Sequence, residues 1–197
     1  MENLETGDIL LFTSESTGIM GLFSSLIKWA THSNYTHIAM VVKDPDFVTP
    51  PLKGLYVWQS GWEGNPDPQD RTIKLGVQIT PLQEILDDYK NGSVFFRKPT
   101  NYNFKTDTLK KIHDIVYGKP YDLVLSDWIK ALTEKNIPPQ TDRFWCSALV
   151  GYIYTQCGLL SGQTDWSIIR PCDFSLDSEK LNFIEGYSLG NKETRIQ

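Results

Sequence analysis

The sequence predicts an α+β fold on two observations. The first hundred residues hold short runs of apolar and β-branched residues bounded by Gly, Pro or Asp, which is the pattern of strands. Much of the second half holds longer segments in which apolar residues recur at three- and four-residue steps, which is the pattern of helices. The chain has 197 residues, a length that usually folds as one domain with its own core. We therefore expect a single domain over residues 1–190 and a polar tail, 191–197, that frays.

The strands are predicted from the residues that bound each apolar run. The first covers residues 8–12, a DILLF run that follows Gly7. Residues 37–42 and 55–59 form two further runs, and the Pro-rich loop between them, 45–53, predicts an antiparallel hairpin. A loop rich in Gly, Pro and Asp follows at 61–70, and two more strands are predicted over residues 75–80 and 94–98.

The helices are predicted where the apolar spacing changes to three and four residues. In the first half they cover residues 18–30, which carry one apolar stripe, and the short segment 81–89. In the second half they cover residues 106–117, 121–134 and 144–160. Gly118 and Pro120 separate the first two of these, and Pro138 and Pro139 precede the third.

Charge and segment length disfavour several classes of partner. The formal net charge of −5, without a long run of Lys and Arg, disfavours nucleic acid. The apolar stretch 18–30 is too short to span a bilayer, although its stripe would suit contact with a membrane surface. The N-terminus lacks the basic and apolar regions of a secretory signal, so the predicted location is intracellular (cytoplasmic).

Cysteine and histidine spacing predicts neither a metal site nor another cofactor. The three cysteines, Cys146, Cys157 and Cys172, contain no C-x-x-C pair, and the sequence has no H-E-x-x-H motif. An odd number of cysteines also predicts at least one free thiol.

Cys146 is the candidate nucleophile. Thr141 and Asp142 are residue types that cap helix N-termini, and the apolar pattern of the predicted helix 144–160 follows them. A thiol at such a position is activated, because the unpaired N–H groups and the dipole of the helix favour its thiolate. Most free cysteines are buried and inert, so helix position alone does not separate a nucleophile from a core residue.

A thiol nucleophile needs a base, and the sequence offers three histidines. His113 falls within the predicted helix 106–117 and is expected on its surface, and His32 falls at a helix end, where capping is the usual role. His37 opens a buried strand, which would hold an imidazole rigidly, and is therefore the preferred base. A lone histidine at a strand end is otherwise more often structural.

Gln59 is the candidate third member of the site. If the hairpin turns near residue 48, paired residue numbers sum to about 96, and His37 faces Gln59 on one side of the sheet with Cβ atoms about 5 Å apart. The amide oxygen would then accept from one ring nitrogen and leave the other free to face a thiol. A register shift of one residue would bring Trp58 to that place instead. A polar strand residue such as Gln59 is otherwise most often solvent-facing.

Three motifs lie in a fixed order along the chain: TGDILLF over residues 6–12, SNYTHIAMVV over residues 33–42 and WCSALV over residues 145–150. In this order they resemble the circularly permuted branch of the NlpC/P60 papain-like superfamily, in which the histidine strand precedes the cysteine helix. Bacterial permuted amidases and peptidases, lecithin retinol acyltransferase-like proteins and poxvirus relatives belong to this branch. The resemblance covers about residues 7–174.

The resemblance implies a permuted papain-like fold, in which an antiparallel sheet packs against the helix that bears the cysteine. It makes Cys146 the nucleophile, His37 the base and Gln59 the third polar member. The family often has Glu or His at the third position, whereas Gln59 carries no charge. Glu63 is the alternative third member if its loop folds back.

The resemblance also implies acyl transfer through a thioester, with an amide in a peptide-like substrate as the first expectation and a lipid ester or amide as the second. Tyr35, two residues before the base, and Trp145, next to the nucleophile, are the predicted substrate contacts. A binding module of a different class, catalytically silent and holding a peptide or lipid in the same groove, stays open. The neutral Gln59 favours that alternative, and the presence of both Cys146 and His37 disfavours it.

Overall fold

Six antiparallel strands form the main sheet of the protein. In this computed structural model, which describes residues 3–13, 34–122, 141–178 and 180–197, the sheet has the strand order β4-β3-β2-β1-β5-β8. Its strands are β1 (Ile9–Thr13), β2 (Tyr35–Lys43), β3 (Leu55–Gly61), β4 (Gly76–Pro81), β5 (Ser93–Arg97) and β8 (Thr194–Arg195). A smaller antiparallel pair joins β6 (Pro99–Thr100) to β7 (Ser188–Leu189). All of the predicted strands are present, so the α+β class and its antiparallel sheet are confirmed.

Three α-helices accompany the sheet in the described part of the chain: α1 (Leu82–Asp88), α2 (Thr106–Val116) and α3 (Cys146–Gln156). They correspond to the predicted segments 81–89, 106–117 and 144–160. Two short 3-10 helices, Trp166–Ile168 and Pro171–Phe174, follow α3. The predicted helix 18–30, nearly all of the predicted helix 121–134, and His32 lie outside the described residues. Within the described ranges, no helix is both long enough and apolar enough to cross a membrane.

The sheet has a core on each face. Along β2, Ile38 and Met40 belong to the main core, whereas Ala39 and Val41 belong to a second core, because successive side chains of a strand point to opposite faces. α3 covers the main core against β2 and β3, and α2 packs against α3. α1 covers the second core and contacts β3 and β4. Because both of its faces are buried, β2 is a continuous apolar run.

The hairpin of β2 and β3 has a different register from the predicted one. Pairs such as Met40 with Trp58 have numbers that sum to 98. The loop sets this register by closing at Asp44 and Gly54: the Asp44 N–H donates to the Gly54 carbonyl at 2.8 Å, and the Gly54 N–H donates to the Asp44 carboxylate at 2.9 Å. A shift of two residues leaves each side chain on its predicted face. Gln59 therefore shares a face with His37 but lies diagonally from it.

The C-terminal tail is ordered, contrary to the predicted fraying. β8 pairs with β5, the Ile196 N–H donates to the Val94 carbonyl at 2.8 Å, and the Val94 N–H donates to the Gln197 carbonyl at 3.1 Å. Glu193 accepts from the Leu176 N–H at 2.7 Å. The tail supplies hydrogen-bond partners to the backbone groups at the edge of β5. These bonds order the tail despite its polar composition.

His113 is buried, not on the surface as predicted. It is 7% exposed, with ring-centroid distances of 5.8 Å to Phe47 and 4.7 Å to Tyr117. Phe47, in the hairpin loop, packs against His113 and so buries a position of α2 that the sequence pattern placed on the helix surface. Burial lowers the pKa of His113, so this histidine is a neutral core residue.

Candidate active site

Cys146 is the first residue of α3, and Trp145 is its N-cap residue. The predicted caps, Thr141 and Asp142, do not start the helix, because Phe144 is held in an extended bridge to Tyr121. The helix therefore begins later than its sequence signals suggest, directly at the cysteine.

Two hydroxyl groups hold this start of α3 in place. Ser60 of β3 donates to the Phe144 carbonyl at 2.6 Å, and Ser147 donates to the Ile169 carbonyl at 2.6 Å. Both hydroxyls are buried, so each satisfies a backbone acceptor that water does not reach. The position of Cys146 is thereby fixed relative to β3 and to the segment that follows α3.

The thiol of Cys146 lies beside β2, near the point where the hydrogen-bonded pairing of β2 with β3 ends. Pairing of β2 with β3 ends at Met40 and Trp58. Val41 exchanges its backbone hydrogen bonds with residues 7 and 8 on the β1 side, so by alternation the Ile38 N–H points to the β3 side. This N–H is close enough to the Cys146 thiol to lower its pKa. The cysteine thus occupies the opening between the two strands.

Burial raises the pKa of the Cys146 thiol to about 11. The N–H groups of Ile38, Ser147 and Cys146 itself lower this pKa, but by less than burial raises it. Cys146 is only 2% exposed. The predicted activation by the helix N-terminus is therefore present but outweighed, and the resting group at neutral pH is a neutral thiol.

His37 immediately precedes Ile38, whose N–H lowers the pKa of the Cys146 thiol. Its Nε2 lies 2.7 Å from the Gln59 Oε1, and the side chain is almost fully buried. The ring packs against Phe12, at 5.3 Å between centroids, and lies nearly parallel to the Tyr89 ring at 6.0 Å. Burial lowers the pKa of His37 to about 4, against the opposing effect of the Gln59 hydrogen bond. The imidazole is therefore neutral at neutral pH.

Gln59 is fully buried, and all of its polar atoms are used. Its Nε2 donates to the Glu63 Oε1 at 3.0 Å and to the Thr80 Oγ1 at 2.9 Å. With both amide protons engaged, the network assigns the amide oxygen to His37. That oxygen only accepts, so the His37 Nε2 carries the proton and Nδ1 is left as the acceptor.

Glu63 does fold back toward the site, but its contact is with Gln59. A Cβ atom at Gly61 would lie 3.5 Å from both the Glu63 Oε1 and the His37 Cε1, so the two groups flank the same glycine. Burial raises the pKa of Glu63 well above its ordinary value, and a hydrogen bond with the Asp88 carboxyl adds to this.

Sequence reasoning missed Thr80, Asp88 and Tyr89. Gln78 and Thr80 alternate within the predicted strand 75–80, which is a weak signal for a polar stripe on β4. Tyr89 left no such signal, since it reaches the site through the packing of α1. Burial raises the pKa of its hydroxyl, and the negative charges that Glu63 and Cys146 carry at the high pH where this hydroxyl ionises add to the effect.

The two predicted substrate contacts lie in different places. Trp145 packs against the main core beside the thiol, and its buried indole N–H has no acceptor among the described residues. Tyr35 lines a cavity of about 640 Å³ together with Arg170 and Cys172, and its hydroxyl donates to Glu193 at 2.7 Å. Tyr35 is three residues from Ile38 on β2, or about 10 Å along the strand.

The other two cysteines are separate from the site described for Cys146. All three are free thiols; Cys157 caps the far end of α3, and Cys172 belongs to the cavity beside Tyr35. In the parts of the chain that the structure describes, no three His, Cys, Asp or Glu side chains form a group that could hold a metal ion.

No family model matches the chain, and no curated protein was found to be similar to it. Among solved structures, the chain is similar to the crystal structure of the metalloprotein yiiX from Escherichia coli O157:H7, DUF1105. The TM-score is 0.51 and the sequence identity 24%, over 78% of this chain and 66% of that one. The chain thus spans just under two thirds of the length of yiiX. At this identity the likeness concerns the fold alone, which is α+β in class.

Proposed function

We propose that the chain is a thiol hydrolase or acyltransferase of the circularly permuted NlpC/P60 papain-like type, acting on an amide bond in a peptide-like substrate. One observation carries the proposal: the backbone of Ile38 lies close enough to the Cys146 thiol to lower its pKa, while His37, the preceding residue, is bonded through Nε2 to Gln59. The helix that begins with the cysteine packs against an antiparallel sheet whose histidine strand comes earlier in the chain, which fits the permuted type.

In the proposed reaction, the Nδ1 of His37 takes the proton from the Cys146 thiol as the sulfur attacks the carbonyl carbon. The carbon–sulfur bond forms, and the carbonyl electron pair moves to oxygen, where the N–H of Cys146 at the start of α3 can donate to it. Collapse of this intermediate breaks the carbon–nitrogen bond, and His37 returns the proton to the leaving amine. A thioester remains on the sulfur.

Water then attacks the thioester, with the same imidazole as base, and releases the acid and the thiol. An amine or alcohol in place of water would complete an acyl transfer. Trp145 is proposed to contact the substrate next to the bond that breaks, because its buried indole N–H is a donor without an acceptor among the described residues. The cavity beside Tyr35 would hold a substituent further along β2.

The second candidate is a silent binding module that holds a peptide or lipid in the same groove. The observation that favours it is the protonation state of the two residues: Cys146 is a buried neutral thiol and His37 a buried neutral imidazole whose partner, Gln59, carries no charge. A lipid ester or amide is the alternative substrate class. The helix 18–30, on which membrane contact was predicted, lies outside the described residues.

The test uses p-nitrophenyl acetate, a small activated ester whose acyl group can enter a confined site. We expect a burst of p-nitrophenolate equal to the amount of protein, with the acetyl group found on Cys146 by peptide mass spectrometry. The burst should disappear in Cys146→Ala and in His37→Ala. Cys157→Ser, at the other end of α3, is the matched control and should keep it.

A burst that persists without Cys146, or equal acetylation of all three cysteines, would contradict the proposal. The silent binding module would then be the leading account. Fluorogenic peptide amides and lipid esters, compared on the unaltered protein, would separate the two substrate classes once the burst is established.

A further inference from the structure

We infer that Glu63 is a positioning residue that sets the tautomer of His37 by holding the side-chain amide of Gln59 in one orientation. The inference deepens the proposed function and rests on it, because the tautomer matters to catalysis only if His37 is the base. Glu63 itself bonds to the amide of Gln59, so its effect on the imidazole passes through that side chain.

The direction of the hydrogen bonds follows from Glu63, because a carboxylate oxygen only accepts, whereas the Thr80 hydroxyl can donate or accept. Thr80 and Glu63 both take an N–H from Gln59, at 2.9 Å and 3.0 Å, which uses both amide protons. The remaining polar atom of the amide is its oxygen, and this lies 2.7 Å from the His37 Nε2. An oxygen that only accepts requires a proton on that nitrogen.

The opposite orientation of the Gln59 amide would exchange the donor and acceptor nitrogens of the His37 ring. The Gln59 NH₂ group would then face the His37 Nε2, which would have to accept, and the ring proton would move to Nδ1. A protonated Nδ1 cannot take a proton from a thiol. The orientation of one buried amide therefore decides whether the imidazole can act as a base toward Cys146.

Glu63 acts as an acceptor toward Gln59. Its Oε1 lies 3.0 Å from the Gln59 Nε2, and a carboxylate oxygen only accepts. Burial raises the pKa of Glu63, whereas the hydrogen bond with Gln59 lowers it, as a bond donated to the charged carboxylate does. The amide therefore has one favourable orientation, with its NH₂ group toward Glu63.

The arrangement also accounts for a neutral third member next to the Glu63 carboxyl group. A carboxylate in direct contact with the buried imidazole would favour its charged form, whereas Gln59 separates His37 from Glu63. Glu63 thus supplies direction to the hydrogen bonds without placing a charge on the base.

The first experiment compares Glu63→Ala, Glu63→Gln and the unaltered protein by ¹⁵N NMR of the His37 ring, which reports the protonated nitrogen directly. We expect Nε2–H in the unaltered protein and a substantial Nδ1–H population in Glu63→Ala, with a fall in the acylation rate of about tenfold or more. Glu63→Gln should restore Nε2–H, because its side-chain carbonyl can accept from Gln59 at the place of the carboxylate oxygen. Glu185→Gln, an exposed glutamate, is the matched control.

An unchanged His37 tautomer in Glu63→Ala, or a changed one in Glu63→Gln, would overturn the inference. If Glu63→Ala does not fold, neutron diffraction from crystals of the unaltered protein locates the same protons. Deuterium on the His37 Nε2 would support the inference, and deuterium on Nδ1 would overturn it. A protein that shows the expected tautomers but no acyl burst would contradict the proposed function alone.

Discussion

Burial determines the resting charge of both residues proposed for catalysis. It raises the pKa of Cys146 to about 11 and lowers the pKa of His37 to about 4, so the charged form of each is disfavoured. A thiolate–imidazolium pair is therefore not the resting state. The proposed chemistry needs proton transfer during attack, and this makes the free acceptor nitrogen of His37 the central requirement of the site.

The lowered pKa of His37 predicts a loss of stability in mild acid. The folded state holds this residue neutral down to about pH 4, whereas in the unfolded chain it binds a proton near its ordinary pKa of 6.5. The free energy of unfolding should therefore fall as the pH drops from 6.5 to 4, by up to about 1.4 kcal/mol per pH unit. Urea unfolding at a series of pH values measures this slope.

His37→Asn supplies the control for this slope. His113, whose pKa is also lowered, contributes equally to both proteins, so the difference between them reports His37. We expect the difference in unfolding free energy to change with pH only below about 6.5, the ordinary pKa. A difference that stays constant from pH 7 to pH 4 would show that His37 does not resist protonation.

At the scale of elements, Gly7 joins the start of β1 to both β2 and α3. Its N–H donates to the Val41 carbonyl at 2.9 Å, and its carbonyl accepts from the Tyr154 hydroxyl at 2.6 Å. Its φ of +99° is one that side chains rarely adopt, and an added Cβ would lie 1.8 Å from an atom of the Phe104 ring. The glycine is required both by its backbone conformation and by the close approach of Phe104.

Gly7→Ala should therefore destabilise the protein more than a strained φ alone would. Gly54→Ala is a matched control, because Gly54 has a φ of +107° but no described atom within 4 Å of an added Cβ. We expect a loss of about 1 kcal/mol at Gly54 from the backbone strain, and a further loss of about 1–3 kcal/mol at Gly7 from overpacking. Urea denaturation compares the two. Equal losses would contradict the packing argument.

At the scale of the whole molecule, the C-terminal segment closes the edge of the main sheet. β8 covers β5, and the Gln197 side-chain amide donates to the Leu86 carbonyl in α1 at 2.8 Å. Glu193 joins the same segment to Tyr35 at the start of β2. The last five residues therefore connect the sheet edge, α1 and the strand that carries His37.

Deletion of residues 193–197 should lower the free energy of unfolding by about 2–5 kcal/mol, since several backbone and side-chain hydrogen bonds are lost together. The exposed edge of β5 should also promote self-association, which light scattering detects. Glu193→Gln, which keeps the backbone pairing, and the surface substitution Lys192→Ala are the controls. A truncated protein as stable and as monomeric as these controls would contradict the assignment of β8 as an edge-closing strand.

Within the described residues, the sequence by itself determined the five longer strands and the three α-helices, and it supplied the residues proposed for the site. Apolar runs bounded by Gly and Pro located the predicted strands, because those residues end regular structure, and apolar periodicity located α1, α2 and α3. The predicted pairing of β2 with β3 placed Gln59 and His37 on the same face of the sheet. The observed pairing differs from it by two residues, and the two side chains still share a face because side chains alternate along a strand with a period of two.

Only the tertiary structure decided how these residues act on one another. The fraying predicted for the tail and the exposure predicted for His113 are wrong, because partners distant in the sequence cover them. The pKa directions of Cys146 and His37 depend on burial by both cores, and the orientation of the Gln59 amide depends on its contact with Glu63. Local sequence carries backbone preference and periodicity, whereas desolvation and hydrogen-bond direction arise only when separate elements come into contact.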